Sequence, residues 1–211
     1  INERNTGITN YLAEERSKFE SNLNIARKTL DPEAIHQYRL ALKRLRAFFN
    51  LFEHVTSGKV SQKKLYKPVR VYFKAGGELR DIHVQLEMLE QLEATLNQPF
   101  DKIREFLFFS EVRSVKKFGR KVNGPVEKAL EKSMKTIHRI AGKLSPVKFE
   151  TGSIDWVKSE LAFLREIYPF IYDPEIFHRF RRHQKQSFYM IDFMNKHTST
   201  SLALERPLEE V

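Results

Sequence analysis

The stretch from Asp31 to Phe52, DPEAIHQYRLALKRLRAFFNLF, constrains the fold of this chain more than any other. At ~100° per residue, Ile35, Ala41, Leu42, Leu45, Phe48, Phe49 and Phe52 spread over one side of a helix. His36, Arg39, Lys43, Arg46 and Asn50 fall within an arc of about 80° on the other. One face is core and the other is polar and basic. Asp31, Pro32 and Glu33 form a helix-start signature: an N-cap acceptor, a proline where no N–H is needed, and an acid in the positive first turn. Arg44 alone departs from the pattern, landing on the apolar side.

A solvated helix face normally mixes signs, because like charges three or four residues apart repel by a few tenths of a kcal/mol per pair. This face carries no acid. Two readings stay open: a solvated lysine and arginine face, or a stripe whose counter-charge comes from outside the helix.

The same pattern returns at Asp173 to Met194, DPEIFHRFRRHQKQSFYMIDFM. A shift of 142 places Asp173, Pro174, Glu175, His178, Arg181 and Lys185 on Asp31, Pro32, Glu33, His36, Arg39 and Lys43. These six identities over 22 aligned positions, with Phe180 on Tyr38, read as an internal repeat. Two copies of a basic stripe predict two helices facing one shared cavity.

The net charge of +10 points to anionic partners, and its distribution says more than its sum. Residues 34–77 hold ten Lys or Arg against a single acid, Glu53, so the charge is a patch and not a diffuse coat. With no cysteine, disulfides and thiolate metal sites are excluded, which fits a cytoplasmic protein. There is no apolar run of about 18 or more residues and no signal-peptide pattern. Because the chain opens at Ile1, its native start is expected to lie upstream.

Taken in order, residues 7–29 predict an amphipathic helix and 32–55 the basic helix, ended by Ser57 and Gly58. From Val60, Lys63, Lys67, Arg70 and Lys74 follow i, i+4, i+7 and i+11, an arc of about 60° on a helix that Pro68 should bend or restart. Gly76 and Gly77 are expected to break that helix, after which Leu79, Ile82, Leu86, Leu89 and Leu92 resume a helical spacing. Arg80 beside Asp81 reads either as a structural pair, with Arg80 meeting an acid or carbonyl, or as part of the basic surface. Further helices are expected over 100–121, 126–144, 153–168 and 174–196, with an aperiodic tail from His197 to Val211. Asn123, Gly124 and Pro125 mark the boundary between an N-terminal half, 1–123, and a C-terminal half, 124–211, the latter expected to be incomplete. Strand patterns are absent, so the chain is expected to be all-α, with seven or eight helices.

His36-Gln37-Tyr38-Arg39, then Lys43-Arg44-Leu45-Arg46, then Glu78-Leu79-Arg80-Asp81-Ile82-His83-Val84 resemble the motifs of the CHAD family, the conserved histidine α-helical domain. The resemblance runs from about Leu12 to Met194. It implies two pseudo-symmetric antiparallel helical bundles of four-helix type flanking a basic groove, and binding of inorganic polyphosphate. Some family members are fused to triphosphate-processing domains, so an accessory role to such an enzyme is an alternative. Two departures stand out. His83 occupies a place where the family pattern favours a second acid, and Phe188 replaces an expected arginine, although Tyr189 and Asp192 fit. A second Arg-Asp element would fall near position 222, past Val211.

The candidate ligand-binding residues are His36, Arg39, Lys43, Arg46, Lys63, Lys67, Arg70, Lys74, Arg80, His178, Arg181, Arg182 and Lys185. Polyphosphate carries no bases, so a protein that binds it needs cations in a row, with forked arginine donors and flexible lysine charges. RNA or DNA backbone is the competing polyanion, disfavoured here because the aromatics are expected in the core and not among the cations. An anionic membrane or acidic protein is a lesser alternative. No P-loop or HExxH occurs, Glu87, Glu90 and Glu93 read as a solvated edge, and no catalytic residue, metal ligand or cofactor is assigned. The expected setting is cytoplasmic, with association to polyphosphate granules. The acid-free stripe predicts that replacing Arg39, Lys43 and Arg46 with alanine weakens binding of long-chain polyphosphate while circular dichroism shows helix content unchanged.

Overall fold

The computed structural model describes residues 6–198, and every regular element among them is helical. In chain order these are α1 (Thr6–Thr29), α2 (Pro32–Val55), the short α3 (Gln62–Tyr66), α4 (Arg70–Leu96) and α5 (Asp101–Lys121). There follow the single turn α6 (Val126–Ala129), α7 (Glu131–Ala141), α8 (Pro146–Ile167) and α9 (Pro174–His197). Seven of those described have eleven residues or more, and the chain is all-α, as expected. Of the aperiodic tail expected from His197, residues 199–211 lie outside the described part.

Both repeat copies start as their sequence dictates. Asp31 Oδ2 accepts from the Ala34 amide at 2.8 Å, and Asp173 Oδ1 accepts from the amides of Glu175 and Ile176 at 2.8 and 3.1 Å. Each satisfies N–H groups that the helix itself leaves unpaired. Ser57 and Gly58, both left-handed at φ 52° and 75°, end α2. Pro68 restarts the chain inside a 3-10 turn, Lys67–Val69, between α3 and α4. α8 begins earlier than the predicted Ser153, because Ser145 Oγ caps the Lys148 amide at 3.2 Å with Pro146 at the first position. The helix predicted over 126–144 is two, interrupted at Leu130, a fully buried residue.

The predicted break at Gly76 and Gly77 is wrong, and the reason is informative. α4 runs unbroken through both. A Cβ on Gly76 would overlap the Tyr38 hydroxyl and come within 2.7 Å of its Cζ, and one on Gly77 would lie 3.2 Å from Arg39 Nη1. The glycines therefore open a gap for α2 side chains. Tyr38, fully buried, fills it and donates to the Tyr72 carbonyl at 3.3 Å.

Packing divides the described chain into two compact units, each discontinuous in sequence: residues 6–14, 43–65 and 134–198, and residues 15–42 and 66–133. These follow packing and so cut across the 1–123 and 124–211 halves, which follow the repeat. The first unit centres on an aromatic cluster: Tyr11 and Phe193 rings lie 4.7 Å apart, Phe48 and Phe193 5.3 Å, and Phe149 and Phe193 6.2 Å. The second centres on Phe19, with Tyr72 at 5.7 Å and Tyr38 at 6.5 Å, and on Phe118, 6.4 Å from Tyr38. Ring pairs of this kind add about 0.5–1.5 kcal/mol beyond the area they bury. The apolar side of α2 behaves as its spacing predicts: Ile35, Leu42, Leu45, Phe48, Phe49 and Phe52 are all fully buried.

Two glycine substitutions should act in opposite directions. Gly76→Ala forces Tyr38 out of its gap and should cost about 1–3 kcal/mol. Gly119→Ala in α5, where nothing lies within 4 Å of the new Cβ, should stabilise by about 0.5–1 kcal/mol through helix propensity. Urea unfolding midpoints of both variants check the pair.

Candidate functional site

In the second unit the candidate cations come from α2, the 3-10 turn and α4. Arg39 is half-buried; its Nη1 donates to the Phe73 carbonyl and its Cζ lies 4.3 Å from the centroid of the Phe73 ring. Burial chiefly, and to a lesser degree repulsion from Arg80, lowers its pKa, against the opposing pull of Tyr38, Asp81 and Tyr66. A guanidinium stays charged through such a shift. Arg39 thus holds positive charge at a set place on the α2–α4 seam, with part of its fork occupied by structure.

Arg80 is half-buried close to it and makes no hydrogen bond or ion pair among the described residues, so the acid or carbonyl partner predicted for it is not there. Lys67, Arg70 and Lys74 are exposed, and their side chains likewise make no hydrogen bond or ion pair among the described residues. Arg70 and Lys74 share an arc of about 40° on α4 with the exposed Asp81, so this surface is strongly but not purely cationic. The stripe predicted from Lys63 to Lys74 on a single helix is divided by Pro68: Lys63 sits on α3, in the first unit, exposed. His36 is half-buried on α2 and has contacts of its own.

In the first unit, α2 contributes Lys43 and Arg46, both exposed and both with contacts inside the protein. The C-terminal end of the stripe lies against α9: Asn50 Nδ2 donates to Gln186 Oε1 at 2.6 Å. Arg44, the residue that broke the pattern, places its guanidinium 5.7 Å from the Tyr189 ring of α9. The second copy presents His178, Arg181, Arg182 and Lys185, all exposed and without hydrogen bond or ion pair among the described residues. Partial desolvation first, then Arg181, lowers the Lys185 pKa. The expectation that aromatics avoid the cations fails on this helix, where Phe177 and Phe188 remain 47% and 43% exposed.

A family model, CHAD domain, matches residues 10–206. The chain belongs to the CHAD domain family. No curated protein matches it.

His83, where the resemblance led to the expectation of a second acid, is buried on α4 and sets Nε2 3.3 Å from Glu111 Oε1 on α5, while its Nδ1 meets no partner. Its place is used to join two helices. Of the edge of Glu87, Glu90 and Glu93, the first two are exposed, and Glu93 does similar work at the other end of this pair. Glu93 accepts the Phe100 amide at 2.8 Å and binds Arg104, two contacts that lower its pKa in that order of importance. Arg27, which no local pattern marks, donates to the carbonyls of Val122 and of Gly124, the latter at 2.6 Å, and so pins the Asn123-Gly124-Pro125 segment. Contacts about a hundred residues apart in sequence leave no periodicity to read. No group of three or more residues placed to hold a metal occurs among the described residues, and no described helix is long and apolar enough to cross a membrane.

Burial, opposed by Glu111 and by Asp31 and reinforced by Arg80, lowers the His83 pKa below that of a free histidine. The unfolded chain then binds the proton more readily, so this contribution to stability is present above pH ~6.5 and is lost as pH falls through the folded value. Chemical denaturation between neutral and mildly acidic pH should show a decline that His83→Gln flattens.

Proposed function

We propose that this CHAD domain binds inorganic polyphosphate, without catalysis, through the cations of α2, the 3-10 turn and α4. The observation that carries the reading is that Lys67, Arg70, Lys74 and Arg80, together in one unit with Arg39, have no carboxylate partner among the described residues. Neighbouring cations on one helix repel by a few tenths of a kcal/mol per pair, a repulsion that an arriving anion relieves. Inorganic polyphosphate supplies a charge per phosphate along a flexible chain that can follow such a row. Arg39 and Arg80 offer forked donors to phosphate oxygens, and Lys67 and Lys74 reach from flexible stems.

Family membership supports this reading, and so does the absence of phosphate-loop and metal-site motifs from the sequence. The domain acts as a tether, holding polyphosphate in the cytoplasm or joining a triphosphate-processing partner to granules of the polymer. Chain shortening by the pure protein with magnesium or manganese would contradict the non-catalytic part.

Titration with polyphosphates of several lengths, across a salt series, tests the site. Arg70→Ala, Lys74→Ala and Arg80→Ala should each weaken binding roughly tenfold at low salt, since a charge-assisted hydrogen bond is worth about 1.5–3 kcal/mol, and should flatten the salt dependence. Unchanged affinity in a folded triple variant would refute it. Arg39→Ala is less clean, because the same change removes the Phe73 contact and with it some stability.

A further inference from the structure

The two repeat copies share their starts and diverge along their stripes. Aligned by sequence, Ile35 meets Phe177 and Arg46 meets Phe188. Ile35 is fully buried, whereas Phe177 is left 47% exposed; where α2 carries an exposed cation, α9 carries a ring 43% exposed. At ~100° per residue, Phe177, His178, Arg181, Lys185 and Phe188 fall within an arc of about 100°, with the two rings roughly 16 Å apart along the axis. The order on this face is ring, cation, cation, ring. Tyr168 packs 6.0 Å from Phe180 on the same helix, and Tyr168, Phe170 and Tyr172 just before α9 are themselves well exposed.

The carboxylates nearby do not cancel the cations. Asp173 is occupied in capping α9, Glu160 holds His183 at 2.7 Å, and Asp192 pairs with Lys196 at 2.8 Å. Glu175 is exposed in the first turn. An apolar ring held in water beside unpaired cations is wasted on a ligand made only of phosphate, which has no flat face to cover it.

We propose that this face of α9 binds single-stranded nucleic acid, Phe177 and Phe188 stacking on bases while Arg181 and Lys185 hold the phosphates between them. A single strand offers both surfaces at once, a duplex hides its base faces, and stacking on a ring is tolerant of sequence. The site is independent of the polyphosphate reading, which rests on the α2–α4 cations.

Fluorescence anisotropy with a short labelled oligothymidylate, run beside a polyphosphate titration on the same protein, separates the two. Phe177→Ala and Phe188→Ala should each weaken oligonucleotide binding roughly tenfold and leave polyphosphate affinity within about twofold. Phe188→Arg, which places there the residue of the first copy, should weaken the oligonucleotide by removing the ring while keeping the face cationic. The matching duplex should bind less well than the single strand. Ring variants that leave oligonucleotide affinity unchanged, or that lower both ligands together, overturn the proposal, as does a duplex that binds equally well. Polyphosphate failing to bind while ring-dependent oligonucleotide binding persists would remove only the earlier reading.

Discussion

The approach of α2 to α4 at Tyr38 and Gly76 is the contact on which the cationic surface of the second unit depends. A fully buried phenol occupies the space where any other residue would have a Cβ, and interiors packed this densely do not tolerate an extra carbon. Glycine inside a helix costs about 1 kcal/mol relative to alanine, and two in succession survive here because the gap they leave is filled. Arg39 follows Tyr38 directly, so the same fit that buries the phenol sets the guanidinium over Phe73 and near Arg80. Core packing and charge placement are consequences of one close approach.

Most of the described acids near these helices are already engaged. Glu93 secures the turn between α4 and α5, Glu78 pairs with Lys117, Glu111 faces His83, and the aspartates of the two repeat starts cap their helices. Exposed pairs of this sort are worth about 0–1 kcal/mol, so their weight lies less in stability than in where they leave charge unmatched. Among the described cations without a carboxylate partner are those from Lys67 to Arg80 and those on the exposed face of α9. A polyanion is drawn to both by the same Coulomb attraction. Only the second adds exposed rings.

The repeat shows how one start signal serves two different helices. Both copies open on a capping aspartate and a proline, and both carry His, Arg and Lys at the same spacing. α2 buries its apolar side along its whole length, whereas α9 buries only its later part, at Ser187, Met190, Ile191, Phe193 and Met194. The early part of α9 is thus free to present side chains that α2 must keep in the core.

Helix class, the capped starts of α2 and α9, the apolar side of α2, the Pro68 restart and the family motifs were all legible in the residues, because each is a local or periodic property of the chain. The role of Gly76 and Gly77 was not, since a glycine pair reads as a break unless the partner that fills it is known. The same holds for Arg27, whose carbonyl acceptors lie far along the chain, for Arg80, whose missing partner only packing reveals, and for Phe177 and Phe188, whose spacing fits core or surface equally. Sequence by itself determined where α2 and α9 begin, which side of α2 is apolar and where positive charge gathers. Tertiary structure decided which cations are spent on holding helices together and which rings stay in water, because burial and pairing depend on neighbours that the chain order does not name.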